Sequence, residues 1–484
     1  MVNNAHSTNQ PTILWHDYET WGVSPKYDKP SQFAAIRTDL DLNIIGEPEV
    51  FYCQPPQDYL PHPGACMVTG ITPQKAQREG LSEAEFARRI HQLFSTPNTC
   101  VAGYNSIRFD DEVTRYLLYR NFFDPYEREY KNGNSRWDII DMARLCHALS
   151  PDGINWPVNE EGRVSFRLEL LTAANGISHE AAHDAMSDVY ATIALAKLIK
   201  EKQPKLYNFV FNIRTKQEVA KLINVFDMAP FVHTSSKISP EQRNTSWLMP
   251  IDIDPINKNA IICIDLSKDI SPLFDLEADE IKQRLYTRHQ ELEAEGKRAI
   301  PLKHVHINKC PVVAPAKVLT PERAALININ REQCLANWQK LKTDSTNIKQ
   351  KLLRVFEQDR EFSKEDPEHA LYSGDFFSFA DKEKMKMVQQ LEPEKLGSYP
   401  FNFVDERLDT LLFRYRARNY PLTLTSSEQQ KWQSYCQNKL SVGENGLSYD
   451  EFMMEIENLA HQYEHNESKM RVLKALYHYI QGTA

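Results

Sequence analysis

Alternating strand and helix patterns in the first 200 residues are the feature that most limits the fold of this chain. Short apolar, partly β-branched runs predict strands at 12–16, 32–38 and 49–54. Apolar spacing typical of helices follows at 82–94, 110–121 and 139–148, and a short strand is predicted at 99–104. An amphipathic helix is predicted at 184–202. This order predicts an α/β domain over residues 1–202.

The remaining residues differ in pattern, and 484 residues suit about two to four domains. Residues 203–356 contain short β-like runs at 260–266 and 302–307 among proline-bearing turns, which predicts a small mixed β domain. The charged stretch 357–369 is interpreted as a linker. Helical spacing at 404–418 and 468–481 predicts a helical domain over 357–484.

Composition favours an ordinary globular protein: hydrophobic residues make up 41% of the chain, and no apolar run approaches a membrane span. The N-terminus lacks a basic and apolar signal region, so we expect a cytoplasmic protein. Eight cysteines without a CxxC pair indicate reduced thiols and no structural zinc. The net charge of −9 argues against a uniformly basic nucleic-acid binder, although a single basic groove remains compatible with it. No sequence feature requires an oligomer, so we expect a monomer.

Asp17 and Glu19 follow the first predicted strand. Residues two apart on a strand face the same side, so the two carboxylates would project together. Mg²⁺ prefers oxygen ligands and retains several waters, so a carboxylate pair and substrate phosphates suffice to hold one ion. The alternative is a solvated acidic pair at a strand edge.

Asp110 opens a predicted helix directly after the strand at 99–104. An acid at this place can cap the helix N-terminus, or it can bring a third carboxylate to the same site. Its neighbour Asp111 is a competing candidate.

His183 and Asp188 lie five residues apart, about 140° around an ideal helix, so the histidine should precede the helix. Asp184 is then a candidate N-cap, with Asp188 in the first turn or two. A histidine with a pKa near about 6.5 could accept a proton from an attacking water at neutral pH. The alternative is an unrelated surface pair.

Together these motifs resemble those of the DEDD exonucleases, in the subclass that uses histidine: Asp17-x-Glu19, Asn105-x-x-x-Phe109-Asp110 and His183-x-x-x-x-Asp188. The resemblance implies a ribonuclease-H-like fold, with Asp17, Glu19, Asp110 and Asp188 as metal ligands and His183 as the fifth catalytic residue. It also implies two Mg²⁺ ions, for which Mn²⁺ can substitute. Further segments, 30–37, 153–157, 306–311 and 415–419, extend the resemblance over the whole chain to a bacterial branch.

In that branch the exonuclease domain is followed by an SH3-like domain and a helical domain. The resemblance implies processive 3′-to-5′ hydrolysis of single-stranded DNA to 5′-mononucleotides, in DNA repair, recombination and mismatch repair. It also implies binding to the acidic C-terminal tail of single-stranded DNA-binding protein. Lys317 or Arg323 are candidates for receiving this tail, but no motif locates the pocket.

Basic and aromatic residues interleave between 115 and 144, a composition that suits a single strand, because bases stack on rings while arginines neutralise phosphates. The DNA-binding candidates here are Arg115, Tyr126, Tyr130 and Arg144, whereas Phe122, Phe123 and Trp137 are expected in the core. Arg167 resembles the family's substrate-contacting arginine, acting with Glu19. An ion pair of Arg167 with Glu169 or Glu161 is the alternative. Later candidates are Lys216, Lys258, Lys303, Asn308 and Tyr372.

Two other functions remain open on the sequence alone. One is a different enzyme of the same fold, such as a ribonuclease or a polymerase proofreading subunit. The other is a single-strand-binding or scaffold protein that has lost its chemistry. Retention of all five site residues argues against the second.

Overall fold

The computed structural model describes residues 10–179, 184–357 and 365–483. Their strands are β1 Thr12–Thr20, β2 Pro30–Thr38, β3 Glu49–Tyr52, β4 Thr99–Gly103, β5 Ser135–Asp138, β6 Phe231–Thr234, β7 Thr245–Ile253, β8 Ala260–Asp265, β9 Leu302–His306 and β10 Val312–Pro315. The helices of the first half are α1 Pro63–Thr69, α2 Pro73–Glu79, α3 Glu83–Phe94, α4 Asp110–Arg120, α5 Ile139–Leu149, α6 Leu168–Ala174, α7 Ala185–Lys202, α8 Pro204–Asn212 and α9 Lys216–Leu222.

The helices of the second half are α10 Pro272–Asp275, α11 Ala278–Tyr286, α12 His289–Ala294, α13 Pro321–Leu326, α14 Arg331–Thr343, α15 Ser345–Phe356, α16 Phe379–Gln390, α17 Arg407–Asn419, α18 Ser426–Val442, α19 Tyr449–Gln462 and α20 Glu467–Thr483. None of the helices in the described ranges has the length and apolar character needed to cross a bilayer.

Two compact units are interleaved along the chain. The first lies within Met1–Ser135, His179–Ile193 and Phe362–Ala484, and the second within Arg136–Ser178 and Ala194–Glu361. The chain leaves the first unit inside β5 and again inside α7. The units therefore cut across the three consecutive segments that the sequence predicts.

A mixed sheet in the order β3-β2-β1-β4-β5 positions the N-terminal motifs. β1 pairs with β2 antiparallel and with β4 parallel, so it has a partner along both edges. Apolar residues of β1 and β2 pack against α3 in a buried cluster that includes Leu14, Phe33, Phe86 and Phe94. The predicted strand at 12–16 is thus longer than expected, and Asp17 and Glu19 lie within β1 itself.

The C-terminal helices complete the core of the first unit. Trp21 and Tyr59 share one buried cluster with Phe452 of α19 and Leu476 of α20. Tyr119 of α4 belongs to another, which includes residues of α16 and α17. Both clusters combine side chains from residues 10–135 with side chains of the C-terminal helices, so the helical segment supplies part of the core of the first unit.

A buried ion-pair network joins the same parts of the first unit. Arg418 donates to both oxygens of Asp58, at 2.8 and 2.6 Å, and also pairs with Glu368. Lys439 donates to Asp58 at 2.8 Å, and Arg414 donates to both oxygens of Asp366 at 2.7 Å. Asp58, Glu368 and Arg418 are almost completely buried. We call this set, with Asp58, Asp366, Glu368, Arg414, Arg418 and Lys439 as its members, the ionic latch.

The second unit contains an antiparallel sheet in the order β10-β6-β7-β8-β9. Its apolar face packs in a cluster with α9 that includes Val219, Phe231, Leu248 and Val305. The small mixed β domain predicted for residues 203–356 corresponds to this sheet and its flanking helices.

Some elements escape prediction. α1 and α2 lie between the predicted strand at 49–54 and the predicted helix at 82–94, where no element is predicted. Each begins at a proline, which suits the first position of a helix. The stretch 357–369, which was expected to be a linker, also contributes to the buried ion-pair network. Its described end, from Glu365 to His369, contains two acids of the ionic latch, and Lys26 pairs with Glu365 at 2.9 Å.

We predict that Arg418→Met strongly destabilises the protein. The substitution leaves Asp58 and Glu368 buried without their shared cation, which typically costs about 3–5 kcal/mol. Thermal or denaturant unfolding measures the change. Arg78→Met is the matched control, since Arg78 forms an exposed pair with Glu79 and should leave the midpoint nearly unchanged.

The same network gives the expected pH dependence. Burial alone would raise the pKa of Asp58, but Arg418 and Lys439 outweigh it and hold this pKa well below its usual range. A lowered carboxyl pKa stabilises the fold above the unfolded value near about 4 and loses this contribution as the pH falls. Arg418→Met should therefore flatten the acid limb of the stability curve, and an unchanged limb would contradict the assignment.

Candidate active site

Three carboxylates converge in the first unit. Oxygens of Asp17, Glu19 and Asp188 all lie within 4.8 Å of one another. Asp17 and Glu19 alternate along β1, where they pair in register with Ala34 and Gln32 of β2, so the strand presents both on one face. Asp188 comes from the first turn of α7. The structure thus brings together residues more than 160 positions apart in the chain.

Asp110 joins the same site through the backbone of β1. Its Oδ1 accepts a hydrogen bond at 3.1 Å from the amide of Tyr18, the residue between Asp17 and Glu19. The Tyr18 hydroxyl and Thr114 are 3.0 Å apart, and Thr114 donates to the Asp110 carbonyl at 2.8 Å. α4 begins at Asp110, so this carboxylate lies in the first turn of the helix and also accepts a hydrogen bond from the backbone of β1. The place at the helix N-terminus and the place beside Asp17 and Glu19 are thus compatible.

Asp111, the competing candidate, has a different partner. Its Oδ1 accepts a hydrogen bond at 2.6 Å from Arg128, and both side chains are buried. The neighbouring acids of α4 thus diverge, one toward β1 and one into an internal ion pair.

The start of α7 agrees with the sequence analysis. Asp184 precedes the helix, and its side chain accepts a hydrogen bond at 3.1 Å from the Ser187 amide, as an N-cap does. Asp188 lies in the first turn, as expected. His183 lies outside the described residues.

A second histidine, His179, was not among the predicted site residues. Its Nε2 lies 2.5 Å from Oδ1 of Asp188, and its side chain is buried. It precedes Asp188 by nine residues, a separation that has no regular meaning in a loop followed by a helix, so no sequence spacing could have identified it.

The carboxylates repel one another strongly. Burial, followed by the charges of Asp188 and Asp110, raises the pKa of Glu19 to about 8. Burial and the charges of Asp110, Glu19 and Asp188 also raise the pKa of Asp17 well above its usual range. Asp184 adds to both effects. Burial and mutual repulsion therefore favour the protonated forms of both carboxyl groups.

This set of donors fits a hard divalent cation. Carboxylate oxygens without a cysteine ligand favour Mg²⁺, Mn²⁺ or Ca²⁺ over softer metals. A cation would also neutralise the repulsion that the raised pKa values report. Asp17, Glu19 and Asp188 are the residues that would hold it, with Asp110 beside them.

Three of the predicted DNA-binding residues lie together in the first unit. Arg115 donates to the Tyr372 hydroxyl at 3.0 Å, and its guanidinium carbon is 5.4 Å from the centre of the Tyr126 ring. Tyr372 is about half exposed, and Tyr130 is 67% exposed. Arg115 itself is buried between Glu112 and Glu129, which differs from the exposed arginine expected to neutralise a phosphate. Phe122 is in the core, as predicted.

The other candidates belong to the second unit. Arg167 is 70% exposed and donates to Glu169 at 2.6 Å, which is the ion pair that the sequence analysis allows as an alternative. Arg144 is buried and pairs with Asp141 at 2.5 Å, so it also differs from an exposed phosphate contact. Lys216 and Lys258 are exposed, whereas Lys303 and Asn308 are partly buried. Trp137 is in the core, as expected.

Three family models match consecutive parts of the chain. The exonuclease model matches residues 14–196, the exonuclease I SH3-like domain matches 214–358, and the exonuclease I C-terminal domain matches 365–483. Exodeoxyribonuclease I of Escherichia coli K12 is 50% identical over 482 residues, with 99% of each chain covered. The chain belongs to the exodeoxyribonuclease I family. It is accordingly an exonuclease that cleaves phosphodiester bonds, with an SH3-like and a helical domain after the nuclease domain.

Other members of the exodeoxyribonuclease I family agree. The Haemophilus influenzae protein is 51% identical over 465 residues, with 96% of this chain and 97% of the relative covered. The crystal structure of E. coli exonuclease I with a dA16 oligonucleotide matches with a TM-score of 0.94 at 49% identity, covering 98% of this chain and all of the other. A zinc-bound complex of the E. coli enzyme with single-stranded DNA matches with a TM-score of 0.92 at 48% identity and the same coverage.

We predict that Asp17→Asn stabilises the metal-free protein. A carboxyl group whose pKa is raised by folding lowers the stability of the fold at pH values above the pKa of the unfolded chain, near about 4. For Glu19 this loss of stability increases with pH up to the folded-state pKa of about 8. Removing one charge should relieve the repulsion. Thermal unfolding in EDTA at pH 6 and pH 8.5 should show a higher midpoint for the variant, most clearly at the higher pH.

Addition of Mg²⁺ should reverse this order, because the wild-type protein gains a cation and the variant loses a ligand. Glu47→Gln, at an exposed position, is the control and should match the wild type in both conditions. If Asp17→Asn in EDTA at pH 8.5 melts at or below the wild-type temperature, the account of mutual repulsion is wrong.

Proposed function

We propose that the protein hydrolyses single-stranded DNA from the 3′ end and releases 5′-mononucleotides processively. The observation that carries this proposal is the convergence of Asp17, Glu19 and Asp188, with Asp110 bonded to the strand between the first two. The E. coli relative, which shares about half of its residues over nearly the whole chain, has been crystallised with dA16 and dT13 oligonucleotides and in complexes with single-stranded DNA. The large C-terminal part disfavours a small proofreading subunit.

The chemistry follows from the donor set. Two Mg²⁺ ions, or Mn²⁺ in their place, would supply the positive charge that polarises the phosphate and activates water. Asp17, Glu19 and Asp188 would hold these ions, and Asp110 would complete the set. β1 and the first turns of α4 and α7 fix these side chains before substrate arrives, so little reorganisation is needed.

His183 would act as general base and accept the proton of the attacking water. Arg167 would contact the substrate near the scissile end together with Glu19. Rings at Tyr126, Tyr130 and Tyr372 would stack on bases, which suits a strand of any sequence. Arg115 would belong to the same surface, since it contacts Tyr126 and Tyr372. The candidates for further strand contacts are Arg144, Lys216, Lys258, Lys303 and Asn308.

We further propose a cytoplasmic monomer that acts in DNA repair, recombination and mismatch repair. Its partner would be the acidic, apolar C-terminal tail of single-stranded DNA-binding protein. Lys317, which is exposed, is the better candidate to receive that tail, because Arg323 already donates to the carbonyl of Val318 at 3.0 Å.

We predict that the wild-type protein releases mononucleotides from 3′-labelled single-stranded DNA with Mg²⁺ and releases none with EDTA. Asp188→Ala should abolish release while DNA binding stays measurable, since the substitution removes a metal ligand and leaves the strand-binding residues in place. Chromatography of the products and fluorescence anisotropy measure the two effects. Glu47→Gln serves as the active control.

Other outcomes identify the alternatives. Faster cleavage of a matched RNA oligonucleotide would indicate a ribonuclease of the same fold. Binding of DNA without metal-dependent release would indicate a binding protein. Near wild-type turnover by Asp188→Ala would rule out the assigned metal centre.

A separate prediction distinguishes the two histidines. His183→Ala should lower kcat by about 10²- to 10⁴-fold and remove the acid limb of the pH profile near about pH 6.5, as expected for loss of a general base. His179→Ala should retain that limb and act mainly on the Mg²⁺ requirement, because His179 contacts Asp188. If His179→Ala loses the limb and His183→Ala retains it, the roles are reversed.

A further inference from the structure

Arg115 occupies an unusual setting for a residue expected to bind phosphate. Only 5% of its side chain is exposed, although it lies in a region where basic and aromatic residues alternate. Its Nε and Nη2 donate to the two oxygens of Glu129, at 2.9 and 3.1 Å. Its Nη1 donates to Glu112 at 2.7 Å and to the Tyr372 hydroxyl at 3.0 Å. All three nitrogens of the guanidinium thus have partners.

The charges around Arg115 oppose an incoming phosphate. Glu112 and Glu129 contribute two negative charges against one positive charge, and both are largely buried, at 16% and 11% exposure. A phosphate approaching the guanidinium would meet these carboxylates at short range with little solvent screening. It would also have to displace hydrogen bonds between ionised groups, which are the stronger kind.

One partner of Arg115, Glu129, is adjacent in the chain to a residue that is anchored in the core. Glu129 follows Arg128, whose side chain is fully buried and donates to Asp111 at 2.6 Å. The Arg128 guanidinium lies 4.9 Å from the centre of the Phe94 ring, in the core of the first unit. Glu129 is therefore held in place, through Arg128 and Asp111, by the first turn of α4, which also contains Asp110.

Two aromatic rings depend on this arrangement. The guanidinium of Arg115 lies against the ring of Tyr126. The Tyr372 hydroxyl accepts from Arg115 and donates to Glu112 at 2.6 Å, while Tyr116 packs edge-on against the Tyr372 ring. Tyr372 nevertheless remains 49% exposed, so its ring is held at one end and open to solvent elsewhere.

We propose that Arg115 is a positioning residue of the strand-binding surface, which fixes the rings of Tyr126 and Tyr372 for stacking on bases and does not itself bind phosphate. This inference rests on the proposed function. Arg115, Glu112 and Glu129 would together hold the two rings in place. Exposed lysines and arginines would neutralise the phosphates of the DNA strand.

The test compares Arg115→Lys with Arg115→Met. Lysine keeps the charge that a phosphate needs, but it cannot donate to Glu129, Glu112 and Tyr372 at once as the guanidinium does. The affinity of each full-length variant for a fluorescent dT oligonucleotide is measured by anisotropy in EDTA at several NaCl concentrations. Circular dichroism and the unfolding midpoint establish that each variant is folded.

For a positioning role, both variants should lose affinity by about tenfold, the loss expected for one base–aromatic stack, with an unchanged salt dependence. Lys216→Met is the comparison for a phosphate contact. It should lower the slope of log K against log salt by about 0.7. If Arg115→Lys binds like the wild type while Arg115→Met loses affinity and about 0.7 of the slope, the proposal is overturned.

Tyr372→Phe and Glu112→Gln provide a second route that does not depend on the folding of the arginine variants. Tyr372→Phe keeps the ring and removes its tether, so it should raise KM for single-stranded DNA with little change in kcat. The double variant Tyr372→Phe/Glu112→Gln should have the same KM as the single variant with the higher KM, because both substitutions break the same hydrogen bond. Wild-type KM for Tyr372→Phe would contradict the proposal. Failure of the wild-type protein to bind or degrade DNA would instead refute the proposed function.

Discussion

Repulsion among carboxylates is the constraint that the candidate active site imposes on the rest of the first unit. Four acids are brought together although each raises the free energy of the others, as the raised pKa values of Asp17 and Glu19 show. The fold tolerates this because β1 is paired on both edges and its apolar face is buried against α3. The fixed position of β1 thus keeps together charges that would separate in a less rigid structure. A bound cation would reduce the repulsion between them.

Buried ion pairs help to explain how a protein with a negative net charge can act on DNA. Many of its arginines are internal: Arg115, Arg128, Arg414 and Arg418 all pair with acids in buried positions. Their number in the sequence therefore says little about the basic surface. The net charge of −9 includes acids that converge at the candidate metal site and acids that neutralise these internal cations.

The sequence predicted those features that depend on local patterns. β1, α4 and α7 and the positions of Asp17, Glu19 and Asp188 on them follow from period, capping and spacing, and Asp184 caps α7 as expected. Features that depend on distant partners could not be predicted. The ion pairs of Arg115 with Glu129 and of Arg418 with Asp58 join residues whose separation carries no periodic signal. For the same reason the sequence did not identify His179.

The interleaving of the two units has a consequence for how such a chain can be divided. The polypeptide passes between them after Ser135, Ser178, Ile193 and Glu361, so neither unit is formed by one uninterrupted stretch of the chain. A fragment ending near residue 202 would contain every proposed metal ligand, yet Asp58 would lose both its cations and Trp21 would lose part of its apolar cover. The candidate site residues thus lie in the N-terminal part of the sequence, while part of the stability of their unit comes from the C-terminal helices.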